Sequence, residues 1–257
     1  MKRILRIART EVLEHSRQPS MIVILAVNYI LWILVFGIVF LILGSVTRHP
    51  ALMEMFRAQL ADFGVDLNAF LKVATSSFGS LMFTNLPLFV AIMSGTSVLH
   101  DRECGTMPFL MLAPLTRRKL LLGKLLGAMV IPLLFHLVFV GTSSLLLGSI
   151  DALAPFAYKF GGTPAWWVAF LLGAPASAAF VGALGTVISA LSRDIRTSMQ
   201  FTSFFIGLLS LGIGYVLVDG AAKGVSMQLT YAMVCLAASG LIMIFGAWLI
   251  SKDVSVS

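Results

Sequence analysis

Residues Asp101–Lys124 read DRECGTMPFLMLAPLTRRKLLLGK and join two apolar runs that are each long enough to cross a bilayer. A short water-facing loop is usually polar. This one carries five apolar side chains between charged ends: Phe109, Leu110, Met111, Leu112 and Leu115. Apolar side chains in such a loop need cover from the membrane surface or from another protein. The nature of that cover bears directly on function.

The composition outside this loop indicates a membrane protein. Of the 257 residues, 59% are hydrophobic and 11% are charged, and the mean hydropathy is +0.99. Soluble domains carry about 25% charged residues, so this chain belongs in lipid. The sequence predicts an all-α membrane protein formed by one transmembrane domain over residues 1–257. Its six spans are expected at 21–44, 78–99, 120–148, 166–191, 198–218 and 229–251.

The positive charges predict that both termini are cytoplasmic. With this set of spans, 13 of the 18 Lys and Arg residues fall on the side that holds the 101–119 loop, and the other 5 fall opposite. The net charge of +7 is therefore explained by topology, and we expect no nucleic-acid partner. Residues 1–20 alternate apolar and basic side chains, with Ile4, Leu5, Ala8 and Val12 on one face. This pattern predicts an amphipathic interfacial helix, and an ordinary positive flank is the alternative.

The largest external segment is 45–77. Leu52, Phe56, Leu60 and Phe63 recur there at helical spacing, which predicts a surface helix that lies on the outer leaflet or caps the bundle. Whether this segment touches substrate is left open.

The spans offer little chemistry. Their apolar cores hold no Asp, Glu, Lys or Arg, which counts against an ion-coupled carrier. His136 is interpreted as a helix–helix hydrogen-bonding residue in preference to a proton relay. The chain lacks GxxxxGK[ST] and any Cys/His cluster, so we expect no enzyme activity, no bound cofactor and no metal site. ATP hydrolysis would need a second polypeptide.

The 101–119 loop predicts a short rigid helix. Gly105 can end the helix of the second span, and Thr106 can cap a new one. Pro108 suits a first helical turn and Pro114 stops the helix after roughly seven residues. The result is an apolar knob clamped between two spans, a shape that fits a groove on a partner.

This loop resembles the coupling region of type-2 ABC transporter permeases. The family shows Glu-x-Gly-Thr after the second span, then Leu-Leu-x-x-Pro, an Arg and a Gly-Lys. The matching positions here are Glu103 to Thr106, Leu110 to Pro114, Arg117, and Gly123 with Lys124. The six spans and the basic N-terminal helix are also similar. The chain departs from the family at Pro108, where an acidic residue is common, and in its short external loop 219–228.

The resemblance implies a permease subunit of an ABC exporter in a bacterial or archaeal cytoplasmic membrane. It would pair with a second permease copy or a homologous permease and with two cytosolic ATPase subunits that hold ATP and Mg. The implied knob is Phe109, Leu110 and Leu112, with Glu103 and Arg117 as rim contacts. Gly105, Thr106 and Pro114 would shape it.

Two other functions stay open: a non-ABC channel or scaffold subunit, and an ABC permease dedicated to the biogenesis of a cofactor or maturation factor. The substrate path is expected between spans one, two and five, with aromatic and amide candidates that also suit simple packing: Asn28, Tyr29, Asn85, Phe89, Phe204 and Phe205. Their lack of charge favours an apolar or amphipathic substrate.

Overall fold

The computed structural model describes residues 2–17, 19–112, 116–148 and 163–253, and within these ranges it contains helices and no strand. The α-helices are α1 (Lys2–Ser16), α2 (Pro19–Arg48), α3 (Pro50–Asp62), α4 (Leu67–Glu103), α5 (Met107–Leu112), α6 (Arg117–Gly148), α7 (Pro164–Val168), α8 (Ala174–Leu191), α9 (Ile195–Phe201), α10 (Gly207–Lys223) and α11 (Val225–Asp253). A π-helical turn at Ala169–Gly173 joins α7 to α8, and another at Thr202–Ile206 joins α9 to α10.

Six helical stretches are long and apolar enough to cross a membrane: Ile22–Val46, Ser77–Glu103, Arg117–Leu145, Pro164–Leu191, Ile195–Gly220 and Val225–Ile250. We refer to them as spans one to six. The prediction of an all-helical chain with six membrane-capable helices is confirmed.

The external segment differs from its predicted form. Only Pro50–Asp62 forms a separate helix, and the following helix α4 already begins at Leu67, ahead of the predicted start at 78. Asp66 sets this start, because its carboxylate accepts a hydrogen bond from the Ala69 N–H at 3.1 Å. The predicted apolar stripe is divided: Phe56 packs against the core, whereas Phe63 lies beyond the end of α3 and is 82% exposed.

The second span lies at the centre of the bundle and packs against spans three, four and five. Its Phe83 and Leu86 side chains are fully buried. The fourth span approaches it through small residues. A Cβ atom on Gly185 would lie 2.9 Å from the Ala91 carbonyl oxygen, so only glycine permits this separation. The first span is peripheral, and most of its large apolar side chains face outward.

Helix α1 packs against the start of the third span across two glycines one turn apart. A Cβ atom on Gly123 would lie 2.7 Å from the Ile7 Cβ atom. A Cβ atom on Gly127 would overlap the Glu11 side chain and lie 2.9 Å from the Ala8 carbonyl oxygen. This small-xxx-small spacing lets the two backbones approach closely.

The buried face of α1 carries charged as well as apolar residues. Leu5 is exposed, whereas Ala8, Glu11 and His15 are buried. The amphipathic interfacial helix stays a prediction, in which the exposed Leu5 would face the headgroups.

We predict that Gly127→Ala lowers the melting temperature of the detergent-solubilised protein. The added methyl group meets the Ala8 backbone, so α1 must move, which corresponds to a loss of about 1–3 kcal/mol. Gly141→Ala in the same helix is the matched control, because a Cβ atom there meets nothing within 4 Å. Equal melting temperatures for the two variants would contradict the close α1 contact.

Candidate functional site

A left-handed turn ends α4 and positions α5. Gly105 has φ of +69°, a conformation that side chains with a Cβ atom rarely adopt. The Gly105 N–H donates to the Arg102 carbonyl oxygen at 3.1 Å, and the Thr106 N–H donates to that of Asp101 at 2.9 Å. This pair of hydrogen bonds is a Schellman motif, which ends α4 where Gly105 predicts its end.

Thr106 fastens the next helix to this turn. Its hydroxyl donates to the Asp101 carbonyl oxygen at 3.1 Å and lies 3.3 Å from the Asp101 Oδ1 atom. Its carbonyl oxygen accepts from the Leu110 N–H at 3.1 Å, which starts α5. Helix α5 therefore leaves the second span in a fixed direction. It contains six residues, close to the predicted seven.

The apolar side chains of α5 divide between two directions. Met107 is buried and Leu110 packs against the hydrophobic core of the bundle. Leu112 points away from the bundle and is 83% exposed. The side chain of Phe109 and the whole of Pro114 lie outside the described residues. Of the predicted knob, Leu112 is thus the described side chain that a partner can reach.

The two predicted rim residues lie on either side of α5. Glu103 is the last residue of α4 and is exposed, and Arg117 is the first residue of α6 and is half-buried. They precede and follow α5 in the sequence.

Behind α5 lies a buried ion network centred on Lys124. Its Nζ atom lies 2.5 Å from the Glu11 Oε2 atom and 2.8 Å from the Asp101 Oδ2 atom, and it donates to the Ser97 carbonyl oxygen at 3.1 Å. The three charged side chains are each at most 4% exposed. One lysine thus connects α1, the end of the second span and the start of the third.

The end of the fourth span joins the same region. The guanidinium of Arg102 donates to the Ala190 carbonyl oxygen at 2.7 Å and to the Ser192 carbonyl oxygen at 3.3 Å. These carbonyls end a helix and have no partner within it, and a cation there also complements the helix dipole. A force applied to α5 therefore reaches spans two, three and four through short polar contacts.

A family model described as "ABC-2 family transporter protein" matches residues 5–235, which is most of the chain. The chain belongs to this family. No curated protein matches it. Membership and the six membrane-capable helices identify a multi-pass membrane permease subunit of an ABC transporter.

The structure brings together part of the predicted substrate path of this permease. The Tyr29 ring packs against Phe89 and against two rings of the third span, with centroid separations of 5.9 Å to Phe89, 5.7 Å to Phe135 and 5.1 Å to Phe139. Asn85 is buried one turn from Phe89 on the same helix. Tyr29 and Phe89 thus belong to an aromatic cluster between spans one, two and three, whereas the path is expected between spans one, two and five.

The other three predicted path residues are not members of the aromatic cluster. Asn28 is half-buried beside Tyr29, and the Phe204 ring is exposed on the fifth span. The side chain of Phe205 is not among the described ones. The π-helical turn that carries Phe204 packs against the second span, which carries Phe89.

His136 of the permease is fully buried among aromatic rings. Its ring centroid lies 6.3 Å from that of Phe83 and 5.4 Å from that of Phe170. Neither ring nitrogen has a hydrogen-bond partner among the described residues, so the interpretation of His136 as a helix–helix hydrogen-bonding residue is not supported there. Its contacts join spans two, three and four by ring packing.

Sequence reasoning missed the Lys124 network. Lys124 is predicted only as part of the Gly-Lys motif, and no role is predicted for Glu11. Two signals were present: Ile4, Ile7, Ala8 and Glu11 recur at helical spacing, and Gly123 and Gly127 mark a contact face. Together they place Glu11 opposite Lys124.

We predict that Lys124→Met destabilises the permease by about 3–5 kcal/mol, because Glu11 and Asp101 are then left buried without their cation. Thermal unfolding in detergent measures the loss. Lys119→Met is the matched control, since Lys119 is exposed on the same helix and its loss should cost no more than about 0.5 kcal/mol.

A triple variant separates charge from shape. Lys124→Met combined with Glu11→Gln and Asp101→Asn removes all three charges and should recover most of the stability lost in the single variant. A triple variant as unstable as Lys124→Met would show that unpaired charge is not the cause.

Proposed function

We propose that this permease is the membrane subunit of an ATP-driven exporter and that a separate P-loop ATPase docks on α5. The observation that carries the proposal is Leu112, an 83% exposed leucine on a short helix fixed between two spans of an ABC-2 permease. A large apolar side chain held outward by a rigid turn suits a helix-in-groove contact. ATP and Mg would be held by the ATPase.

The distribution of charge supports a cytoplasmic position for α5. The Lys and Arg residues are concentrated on its side of the membrane, 13 of 18 with the predicted spans. Both termini would then also be cytoplasmic, and a cytosolic ATPase could reach Leu112.

The contacts behind α5 supply a route for transmission. Thr106 ties α5 to Asp101, Asp101 pairs with Lys124, and Arg102 reaches the end of the fourth span. These links resist relative motion of α5 and the spans, so closure of two ATPase subunits would move the bundle as a rigid body. A second permease copy, identical or homologous, would complete the transporter.

The proposed substrate is apolar or amphipathic. The described part of the predicted path offers the rings of Tyr29 and Phe89 and the amide of Asn85. These groups suit van der Waals contact and single hydrogen bonds, whereas a strongly charged substrate would need opposite charges that this surface does not supply.

We predict that Leu112→Asp weakens association with the ATPase about 100-fold or more, because burying a carboxylate in an apolar groove costs several kcal/mol. Leu110 is avoided, since its inward packing would confound the result. The measurement is co-purification with the P-loop ATPase recovered with the wild-type chain from its native host.

Phe63→Asp is the matched control. Phe63 is as exposed as Leu112 but lies between spans one and two, at the opposite end of the bundle. Wild-type levels of ATPase in the Leu112→Asp preparation would place the docking surface elsewhere. A wild-type preparation that contains no P-loop ATPase would contradict the proposed function.

A further inference from the structure

A cavity of about 190 Å³ lies beside the Lys124 network, between α1, the end of the second span and the start of the fifth. It is separate from the exposed surface of α5. Its polar wall is formed by α1 and the second span: Glu11, Glu14, His15, Thr96, Ser97 and His100. Ile195 and Met199 of the fifth span close the apolar side.

The hydroxyl groups in this wall are hydrogen-bond acceptors toward a ligand. The Ser97 hydroxyl donates its proton to the Ser94 carbonyl oxygen at 3.1 Å, and the Thr96 hydroxyl donates to that of Met93 at 3.2 Å. Each oxygen keeps lone pairs but has already used its only hydrogen. Both residues therefore favour a ligand that brings its own donors.

His15 adds a buried acceptor. It is 5% exposed, and its Nε2 atom lies 3.3 Å from the Glu11 Oε1 atom. Neither its Nδ1 nor its Nε2 atom has a hydrogen-bond partner within the part of the chain that the structure describes. With the ring proton on Nε2, facing the carboxylate, Nδ1 carries a free lone pair. A buried lone pair without a donor is a costly feature that a ligand would relieve.

The charges around the cavity favour a cation. Lys124 is shared by Glu11 and Asp101, which leaves this trio with one excess negative charge. Glu14 adds a second carboxylate at the wall. Burial raises the pKa of Glu14, mainly through loss of hydration, and Lys124 only partly offsets this. A bound cation would stabilise the ionised carboxylate.

We propose that this cavity binds a primary ammonium group, with Glu14 as the counter-ion and the Thr96, Ser97 and His15 acceptors as hydrogen-bond partners. Three N–H donors on one charged nitrogen match a wall that has acceptors and negative charge. An anion would meet two carboxylates, and a quaternary ammonium has no N–H to donate. Among the described residues no group of three His, Cys, Asp or Glu is arranged to hold a metal ion.

Two sources carry this chemistry: the headgroup of an amino-phospholipid and a small soluble amine. The cavity lies where α1 meets the ends of the spans, which is the depth of lipid headgroups when the spans cross a bilayer. Both sources present the same ammonium group, so the binding experiment has one arm for each.

The test measures binding to the full-length chain in detergent. In the lipid arm, native mass spectrometry compares phosphatidylethanolamine with phosphatidylcholine of identical acyl chains. In the soluble arm, calorimetry compares ethanolamine with choline. We expect at least tenfold tighter binding of the primary amine in one arm or both. Equal affinity of amine and choline partners in both arms, or no binding in either, would overturn the proposal.

Variants locate the binding in the cavity. Glu14→Gln keeps the side-chain shape and should remove the preference for the primary amine, a loss of tenfold or more. Thr96→Val removes one acceptor with little change of volume and should weaken amine binding about threefold. Glu54→Gln, an exposed acid on α3, is the control and should leave the preference intact. An unchanged preference in both cavity variants would place the binding elsewhere.

The pH dependence has a definite sign. The raised pKa of Glu14 means that amine affinity is greatest above that pKa and is lost as the pH falls through it. The other charged groups that face Glu14 are Glu11 and His15 on α1, His100 and Asp101 on the second span and Lys124 on the third. Affinity that rises on acidification would contradict the assignment.

This binding measurement uses neither an ATPase nor a transport assay. A failure of ATPase association would therefore leave it unaffected, and the two proposals can fail separately.

Discussion

Lys124 carries its charge inside the helical packing, and the elements around it are arranged to compensate that charge. Removing an ammonium group from water costs several kcal/mol, so it stays buried only where carboxylates and carbonyl oxygens surround it. Glu11 comes from α1, and Asp101 and the Ser97 carbonyl oxygen come from the second span. Because these partners belong to different elements, compensation of one charge fixes three helices relative to one another.

The positions of the glycines follow from the same constraint. Glu11 can reach Lys124 only if α1 lies against the third span, and Gly123 and Gly127 permit that approach. Asp101 pairs with Lys124 from the last turn of α4. The left-handed turn at Gly105 follows at once and ends the helix there. The direction of α5, and with it the exposure of Leu112, thus depends on a salt bridge behind it.

The six spans were predictable from the length of the apolar segments and their lack of charged residues, because a bilayer imposes nearly the same length on each span. The turn at Gly105 was also predictable, since few residues other than glycine adopt its conformation. The early start of α4 was not predictable, because residues 67–77 are too polar to be recognised as a span, although Asp66 is a residue type that caps helices.

The Lys124 network joins residues far apart in sequence, and its geometry appears only when α1 is packed. The inward direction of Leu110 was not predictable either. The sequence pattern shows that the six-residue helix is apolar, but it does not show which of its sides the bundle covers.

The length of α4 has a mechanical consequence. At about 1.5 Å per residue, its 37 residues extend about 55 Å, whereas the hydrocarbon core of a bilayer is about 30 Å thick. One continuous helix, with Pro87 inside it, therefore runs from the turn that carries α5 to the segment that holds α3 and is about 25 Å longer than that core. If this helix pivots by about 5° at its α5 end, its far end sweeps through about 5 Å. If the ATPase docks on α5 as proposed, a small displacement there would be amplified into a motion wide enough to part side chains at the other end of the helix.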